Sequence, residues 1–439
     1  MNVIFLTMVQ LPSLSGRGIY VDLLRYFSKQ GHNVYVVFPQ ERRLKKTTEA
    51  FESDCAHFLG VRTLNLQKSS IIEKGVGQVL VEGQFKRAIR KLWGNENFDL
   101  ILYSTPPITL MGAVKYLKNR NPQAKSYLLL KDIFPQNAVD IGMMPGKGYR
   151  LKVTNYRSWI NLFKYHLYKY FRKKEAELYA ISDYIGCMSP ANVEFVLKNN
   201  PEVAPSKVEV APNSVELNVN DNLCSSMVAG RVSCGARQND NHNINDNENK
   251  VSIRSKYGLP MDKPVFIYGG NLGKPQGIPF LVKCLDAIKN RSDCHFVVVG
   301  SGTEQHLIQA WYDKEKPNNT TVLQALPKSD YDTLVNTCDV GLIFLDHRFT
   351  IPNFPSRLLS YLENKMPVLC ATDPNCDMGT IAEANGFGYW CESNSVEAFT
   401  GILDKMIHSD IKAMGEKGYE FLKENYLVEH TYNAIMGHL

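Results

Sequence analysis

A chain of 439 residues, 44% hydrophobic and 21% charged, has the make-up of a globular protein and excludes a disordered or fibrous one. At roughly 100–200 residues per domain the length predicts two or three domains, and no apolar run approaches the ~18 residues of a membrane-spanning helix. The net charge of +6 is unevenly placed: residues 1–215 hold 30 Lys and Arg against 17 Asp and Glu, whereas residues 216–439 hold 20 against 27. A basic front half suits an anionic partner such as nucleic acid, a phospholipid surface or a pyrophosphate-bearing substrate.

The chain opens on a strand, Val3–Leu6, without the basic flank of a signal peptide. Ile19, Leu23, Leu24 and Phe27 then share one helical face, which Gly31 closes. Apolar runs at Asn33–Phe38, Asp99–Tyr103, Ser126–Leu130, Tyr184–Met188 and Val208–Val210 read as strands buried on both faces, which predicts a parallel sheet covered by helices. From Leu217 to Lys250 the pattern lapses, and residues 239–249 carry Asn at every second position. So polar a stretch buries no core and reads as a linker or insertion. A second strand–helix series follows at Pro264–Tyr268, His295–Val299, Val340–Leu345 and Pro367–Ala371.

The fold class is therefore α/β. A first Rossmann-like domain is expected over 1–216, the linker over 217–250, a second such domain over 251–420, and a last helix over 421–439 that packs back on the first. Two sheets joined in this way place ligands in a cleft at the carboxyl ends of their strands. Ten cysteines with no Cys-x-x-Cys pair, and no cluster of Cys and His, predict reduced thiols and no metal site.

Candidate chemistry lies where strands give way to helices. Tyr268 to Gly277 reads Tyr-Gly-Gly-Asn-Leu-Gly-Lys-Pro-Gln-Gly before a helix near Ile278. Glycines let backbone approach a ligand, a helix start offers free N–H groups to phosphate, and Lys274 adds a point charge. A plain strand-to-helix turn accounts for the same residues. Gly300 and Gly302 form a second close-approach loop. Pro355 and Ser356 read as a helix start, with Ser356 placed to cap it. Arg357 in that first turn is electrostatically misplaced, because the helix dipole there favours anions; a bound diphosphate resolves the conflict. In the front half Asp132 follows a buried strand, where a carboxylate can orient or deprotonate an acceptor hydroxyl, or simply cap a turn. Gly16 and Gly18 fall between the first strand and the first helix.

The run Pro355-Ser-Arg-Leu-Leu-Ser-Tyr-Leu362 with Pro367-Val368, after Gly269-Gly-Asn-Leu-Gly273, resembles glycosyltransferase family 4. It is most similar to the bacterial surface-polysaccharide branch that includes fucosaminyltransferase-like enzymes. Gly31-His-Asn-Val34, Lys131-Asp-Ile-Phe-Pro135, Met188-Ser-Pro190 and Ala211-Pro-Asn-Ser-Val215 are further matches, and the likeness covers nearly all of the chain except 217–250.

The resemblance implies a GT-B architecture with an interdomain cleft, the acceptor held by the first domain and a nucleotide-diphospho-sugar donor by the second. It implies a retaining, metal-independent transfer, without cofactor, to a glycan acceptor on a polyprenyl diphosphate in the making of surface polysaccharide such as capsule or O-antigen. Without a metal, the departing diphosphate needs positive charge and N–H donors from protein, and Lys274, Arg357 and the two helix starts are the candidates. Gly16, Gly270, Asn271, Gly273, Gly300, Gly302, Pro355 and Ser356 are the expected donor-binding positions.

The chain also departs from the family. Asn271 and Gln276 stand where an Arg and a Lys are common, and the family's paired glutamates fall on Pro352 and Ser360. Glu363, one turn beyond Ser360, is a candidate for a ribose contact or a plain surface residue. The missing glutamates leave a GT-B-shaped epimerase or phosphorylase acting on sugar nucleotides, and a non-catalytic sugar-binding relative, as alternatives.

Between Lys147 and Lys174 cations alternate with aromatics. Arg157, Trp159, Lys164, Lys169, Arg172 and Lys173 on an amphipathic helix suit an anionic bilayer; a core-packed helix with a solvated basic face is the other reading. No nucleic-acid-binding signature accompanies them. The expectation is a cytoplasmic enzyme, peripheral on the inner face of the cell membrane.

Overall fold

The computed structural model describes residues 1–66, 71–105, 108–146, 156–217 and 250–439, with the backbone alone for 71–75 and 156–160. The expected linker, and the stretch around Lys147, lie largely outside the described residues. The chain divides into two units, one of Met1–Ser225 with Tyr426–Leu439 and one of Ser226–Asn425.

The first unit carries β1 (Asn2–Leu6), β2 (Asn33–Glu41), β3 (Glu49–Ser53), β4 (Ala56–Thr63), β5 (Leu100–Ser104), β6 (Lys125–Leu130), β7 (Tyr184–Cys187) and β8 (Val208–Val210). They form one sheet in the order β3-β4-β2-β1-β5-β6-β7-β8. Val3 pairs with Val34 on one side and Leu100 on the other, so β1 is central and fully buried, as an apolar parallel strand must be. Only β3 runs antiparallel, at the edge. Helices α1 (Ile19–Lys29), α2 (Ile71–Leu92), α3 (Met111–Arg120), α4 (Gln136–Asp140), α5 (Tyr156–Ile181) and α6 (Pro190–Asn199) complete it. On α1, Leu23, Leu24 and Phe27 are the buried face that the spacing predicts.

The second unit carries β9 (Val265–Asn271), β10 (His295–Ser301), β11 (Thr320–Gln324), β12 (Val340–Phe344), β13 (Val368–Thr372) and β14 (Gly388–Glu392), all parallel, in the order β11-β10-β9-β12-β13-β14. Its helices are α7 (described over 250–256), α8 (Ile278–Ile288), α9 (Gln305–Glu315), α10 (Lys328–Val335), α11 (Arg357–Glu363), α12 (Met378–Ala384), α13 (Val396–Ile407) and α14 (Ile411–Asn425). Arg254 pins α7: it is buried, and its guanidinium donates to the carbonyls of Thr337 and Pro260 and to Asp339.

The single last helix expected over 421–439 is two. The chain breaks at Tyr426–Leu427, where Val215 donates its N–H to Tyr426 O at 2.9 Å and accepts from Val428 N at 3.1 Å. Backbone pairing of that kind cannot be made inside a helix, so α14 stops and α15 (Val428–Met436) starts afresh. Helix α15 belongs to the first unit: Tyr432 packs edge-on against Phe27 with ring centroids 4.8 Å apart, and its hydroxyl meets His32 Nε2 at 2.9 Å. No helix among the described residues is long and apolar enough to cross a membrane.

Candidate functional site

The strand order of the second unit reverses between β9 and β12, and ligands of open α/β sheets bind in the crevice at such a point. The two strands pair only at Val340 with Phe266 and Gly341 with Ile267, and then part. The hydroxyl of Tyr361, fully buried on α11, spans the gap, 3.2 Å from Ile267 O and 3.3 Å from Leu342 O. Above the gap stand the glycine loop after β9 and the turn that leads into α11.

Arg357 opens α11 in this crevice. Its guanidinium lies over the Tyr268 ring, 4.5 Å from the centroid, within cation–π range. It forms no ion pair among the described residues, and Nη1 is buried without a hydrogen-bond partner. An unmet buried donor on a cation is costly, and an anionic ligand relieves it. A Cβ added at Gly270 would fall 3.7 Å from Arg357 Nη2, so the glycine loop runs directly beneath the cation. Lys274 is exposed at the start of a short 3-10 turn, Lys274–Gln276, with no side-chain partner among the described residues. The loop is closed by neutral groups: Asn271 Nδ2 donates to Gln276 Oε1 at 2.8 Å, and that oxygen also accepts from Gly273 N at 3.3 Å. The two positions where cations are expected from the resemblance, Asn271 and Gln276, thus bond to each other.

Four of the expected positions have local ties in the fold. Ser356 is itself helical in backbone and makes no side-chain capping bond, because the chain is already turning at Pro355. At Gly300 and Gly302 a Cβ would lie 1.9 Å from Gly270 O and 2.3 Å from Leu272 O respectively, so the two loops press backbone on backbone. Glu363 ends α11, about 9 Å along the axis from Arg357, and has interactions of its own. The fourth, Arg172, is described with α5 below. At the end of β13 a residue the sequence did not flag, Asp373, is fully buried; Oδ1 accepts from Asn375 N and Cys376 N, Oδ2 has no partner, and burial pushes the carboxyl up to about 6.

In the first unit the order reverses between β1 and β5. Gly16, with φ +82°, turns the chain after β1. Arg25 holds this turn by donating to Leu14 O and Gly16 O, each at 2.8 Å, and its other nitrogens pair with Asp22 and Glu216. Asp132 follows β6. Thr105 Oγ1 accepts the N–H of both Lys131 and Asp132, at 3.0 and 3.2 Å, which fixes the end of the strand. Asn137 Nδ2 donates to Asp132 Oδ1 at 2.6 Å, and Tyr20 of α1 is close enough to feel the charge. Burial pushes Asp132 up to about 6, against the pull of the Asn137 amide and the Ile133 N–H. Burial also lowers Lys131, whose ammonium donates to Ala211 O at 3.0 Å, to about 7. Asp132 is thus a carboxylate that changes charge near neutrality beside a hydroxyl-rich edge. Sequence reasoning missed Tyr20, Thr105, Asn137 and Arg25, none of which stands in a motif.

On α5 the described exposed residues Phe163, His166, Lys169, Tyr170 and Lys173 share one face, and Phe163 is 68% exposed. Lys169 covers the Tyr165 ring at 4.8 Å, and Lys164 is half-buried. Arg172 does not belong to the outward face: it pairs with Glu175, a buried carboxylate that needs a counter-charge. The side chains of Arg157 and Trp159 lie outside the described residues. No three His, Cys, Asp or Glu among the described residues gather as a metal site.

Residues 249–421, which lie within the second unit, match the model of the family described as Glycosyl transferases group 1. WbjE of Pseudomonas aeruginosa, named a probable glycosyltransferase, is 23% identical over 164 residues, 37% of this chain and 41% of WbjE. WcaI of Escherichia coli K12, whose name refers to glycosyl transfer in colanic acid biosynthesis, is 23% identical over 151 residues, 34% of this chain and 36% of WcaI. The chain thus spans about two-fifths of the length of these curated relatives. Among solved structures, sucrose-phosphate synthase from Thermosynechococcus elongatus superposes with a TM-score of 0.66 at 13% identity, over 100% of this chain and 98% of that one. HepE of Anabaena in complex with UDP gives 0.62 at 11%, covering 100% and 99%. The catalytic domain of starch synthase IV from Arabidopsis thaliana, bound to ADP and acarbose, gives 0.62 at 13%, covering 99% of each. The fold is GT-B, with two parallel-sheet α/β units.

Proposed function

We propose that this chain is a retaining glycosyltransferase that moves a sugar from a nucleotide-diphospho-sugar to a glycan acceptor carried on a polyprenyl diphosphate, in surface-polysaccharide assembly. The observation that carries the reading is Arg357, a cation in the β9/β12 crevice with a buried donor unmet and no carboxylate in attendance. The glycosyl transferases group 1 match over 249–421 supports it, as do the names of WbjE and WcaI and the UDP and ADP held by HepE and starch synthase IV.

In this mechanism the second unit takes the donor, and Arg357, Lys274 and the N–H groups at the start of α8 neutralise the departing diphosphate, without a metal. The acceptor oxygen bonds to the anomeric carbon while the bond from that carbon to the diphosphate oxygen breaks, and the electron pair leaves with the diphosphate. Attack and departure share one face, and the hydroxyl proton passes to the departing phosphate oxygen. Asp132, in its ionised form, accepts the hydrogen bond that orients the acceptor hydroxyl beforehand. The outward face of α5, with Phe163, Tyr170, Lys169 and Lys173, rests on anionic lipid and brings the enzyme to its acceptor.

The test is thermal stabilisation by a panel of nucleotide-sugars, since a ligand at 100 times its Kd adds about 2.7 kcal/mol. One nucleotide class stabilises the wild type and loses its effect in Arg357→Ala. No stabilisation by any of the panel overturns the reading. Conversion of the donor without any sugar acceptor favours an epimerase or phosphorylase. Sedimentation with phosphatidylglycerol vesicles, and failure with phosphatidylcholine alone, checks the membrane contact.

A further inference from the structure

We infer that Tyr268, on β9, is a positioning residue of the diphosphate site with two separable parts: its ring seats the Arg357 guanidinium, and its hydroxyl holds the Asn271 carbonyl of the glycine loop. The inference rests on the reading that Arg357 meets the diphosphate of the ligand.

Tyr268 is fully buried, and its neighbours fix the plane of its ring. Phe344 of β12 meets that ring nearly edge-on, with centroids 6.2 Å apart and planes at 71°, and is itself backed by Phe399 of α13 at 5.5 Å. The hydroxyl donates to Asn271 O at 2.8 Å, which commits the one hydrogen a phenol has to give. A ring held at its edge and at its hydroxyl cannot turn, and over it lies the Arg357 guanidinium, 4.5 Å from the centroid. The glycine loop passes the same cation, because a Cβ added at Gly270 would fall 3.7 Å from Arg357 Nη2. One side chain thus sets the place of both the cation and the loop beside it.

Each part has a physical consequence. Arginine has a long stem with much rotamer freedom, and a seat that fixes it beforehand removes an ordering cost from ligand binding. A carboxylate seat would cancel the charge and compete with an anionic ligand for the same N–H groups. An aromatic face holds the cation by its quadrupole and leaves the charge in place. The hydroxyl acts on the loop instead. A carbonyl oxygen is the negative end of its dipole and repels phosphate, and the tyrosine keeps the Asn271 oxygen occupied. The side chain of the same residue is held by Gln276 Oε1 at 2.8 Å, so the loop is tied from both sides.

The experiment uses the full chain as wild type, Tyr268→Phe, Tyr268→Leu, Arg357→Gln and the two double variants. Calorimetry measures inorganic pyrophosphate, UDP, ADP and GDP, and the nucleosides uridine, adenosine and guanosine. Tyr268→Phe keeps the ring and is expected to weaken pyrophosphate and the preferred nucleoside diphosphate about 3-fold on either background, because it touches the loop and spares the seat. Tyr268→Leu removes the seat as well and is expected to cost about 10-fold more, a further loss that vanishes on the Arg357→Gln background. Nucleoside affinity stays unchanged throughout. Phenylalanines carrying one, three and five ring fluorines at position 268 keep the shape while draining the negative face, so pyrophosphate affinity declines stepwise along that series. This series decides the ring's part if Tyr268→Leu does not fold or Arg357→Gln binds too weakly to measure. A flat fluorine series, a leucine loss that persists without Arg357, a Tyr268→Phe variant that binds like wild type, or nucleoside affinities that fall in parallel overturn the inference. If Arg357→Gln leaves pyrophosphate binding intact, or the wild type binds none of the diphosphates, the underlying reading fails and takes the inference with it.

Discussion

Two arginines sit beside the glycine turns of the two units, and the protein treats them in opposite ways. Arg25 is answered on every side, by the carbonyls of Leu14 and Gly16 and the carboxylates of Asp22 and Glu216. Arg357 lies over the Tyr268 ring, with a buried nitrogen left over. The first is scaffolding: it spends its donors to hold a turn that carries φ +82° at Gly16. The second keeps its charge in reserve. Whether a buried cation is already satisfied by protein separates a structural arginine from one aimed at a ligand.

The contrast is open to direct attack. Arg357→Ala should lower turnover about 10²–10³-fold, the usual cost of removing one preorganised stabiliser of developing charge, and Lys274→Ala, on an exposed and mobile stem, only about 10-fold. Nucleoside diphosphate release from the donor found in the binding panel measures both, and unchanged turnover in both removes the charge-neutralising role. Arg25→Met should act on stability instead. Stranding the buried Asp22, while Glu216 keeps only Lys29, costs about 3 kcal/mol, visible as lower urea resistance and faster hydrogen exchange in β1 and α1. An equally large loss of nucleotide affinity in Arg25→Met would erase the distinction drawn between the two arginines.

A comparable pair exists among the acids. Asp132→Asn should reduce turnover about 10²-fold. The wild-type rate should rise as pH increases through about 6, because the carboxyl must lose its proton to accept the acceptor hydroxyl, and the variant should lack that limb. Asp373 has no such task in the proposed reaction. Its folded pKa, about 6, lies above the ordinary 3.8, so the folded state binds the proton more tightly, and stability declines as pH rises through that window. Asp373→Asn removes the decline, raising stability at pH 8 by about 1–3 kcal/mol and leaving it almost unchanged at pH 4. Thermal midpoints at the two pH values check it; a flat wild-type profile contradicts the burial argument.

The fully apolar strands were legible in the sequence because strands covered on both faces need no polar alternation. β3, β4, β11 and β14 were not. β3 and β11 lie at sheet edges and are half-exposed along their length, β4 breaks its apolar run with His57, Gly60 and Arg62, and β14 mixes Trp390 and Glu392 into its run. Arg357 was legible through its conflict with a helix start, although α11 is short and the Tyr268 ring beneath its guanidinium comes from β9, far back in the chain. At Gly300 and Gly302 the signature of close approach has a source within the fold, the chain's own backbone at Gly270 and Leu272. Residue type announces that something comes close, and three-dimensional structure alone says what.

The pairing of Val215 with Tyr426 and Val428 has a consequence for synthesis. Residues more than two hundred positions apart must meet before the first sheet has its full covering of helices, since Tyr432 packs on Phe27 and Ile435 joins the core around β1 and α1. During synthesis Phe27 and His32 therefore lack the cover of Tyr432 until all of the second unit has been made.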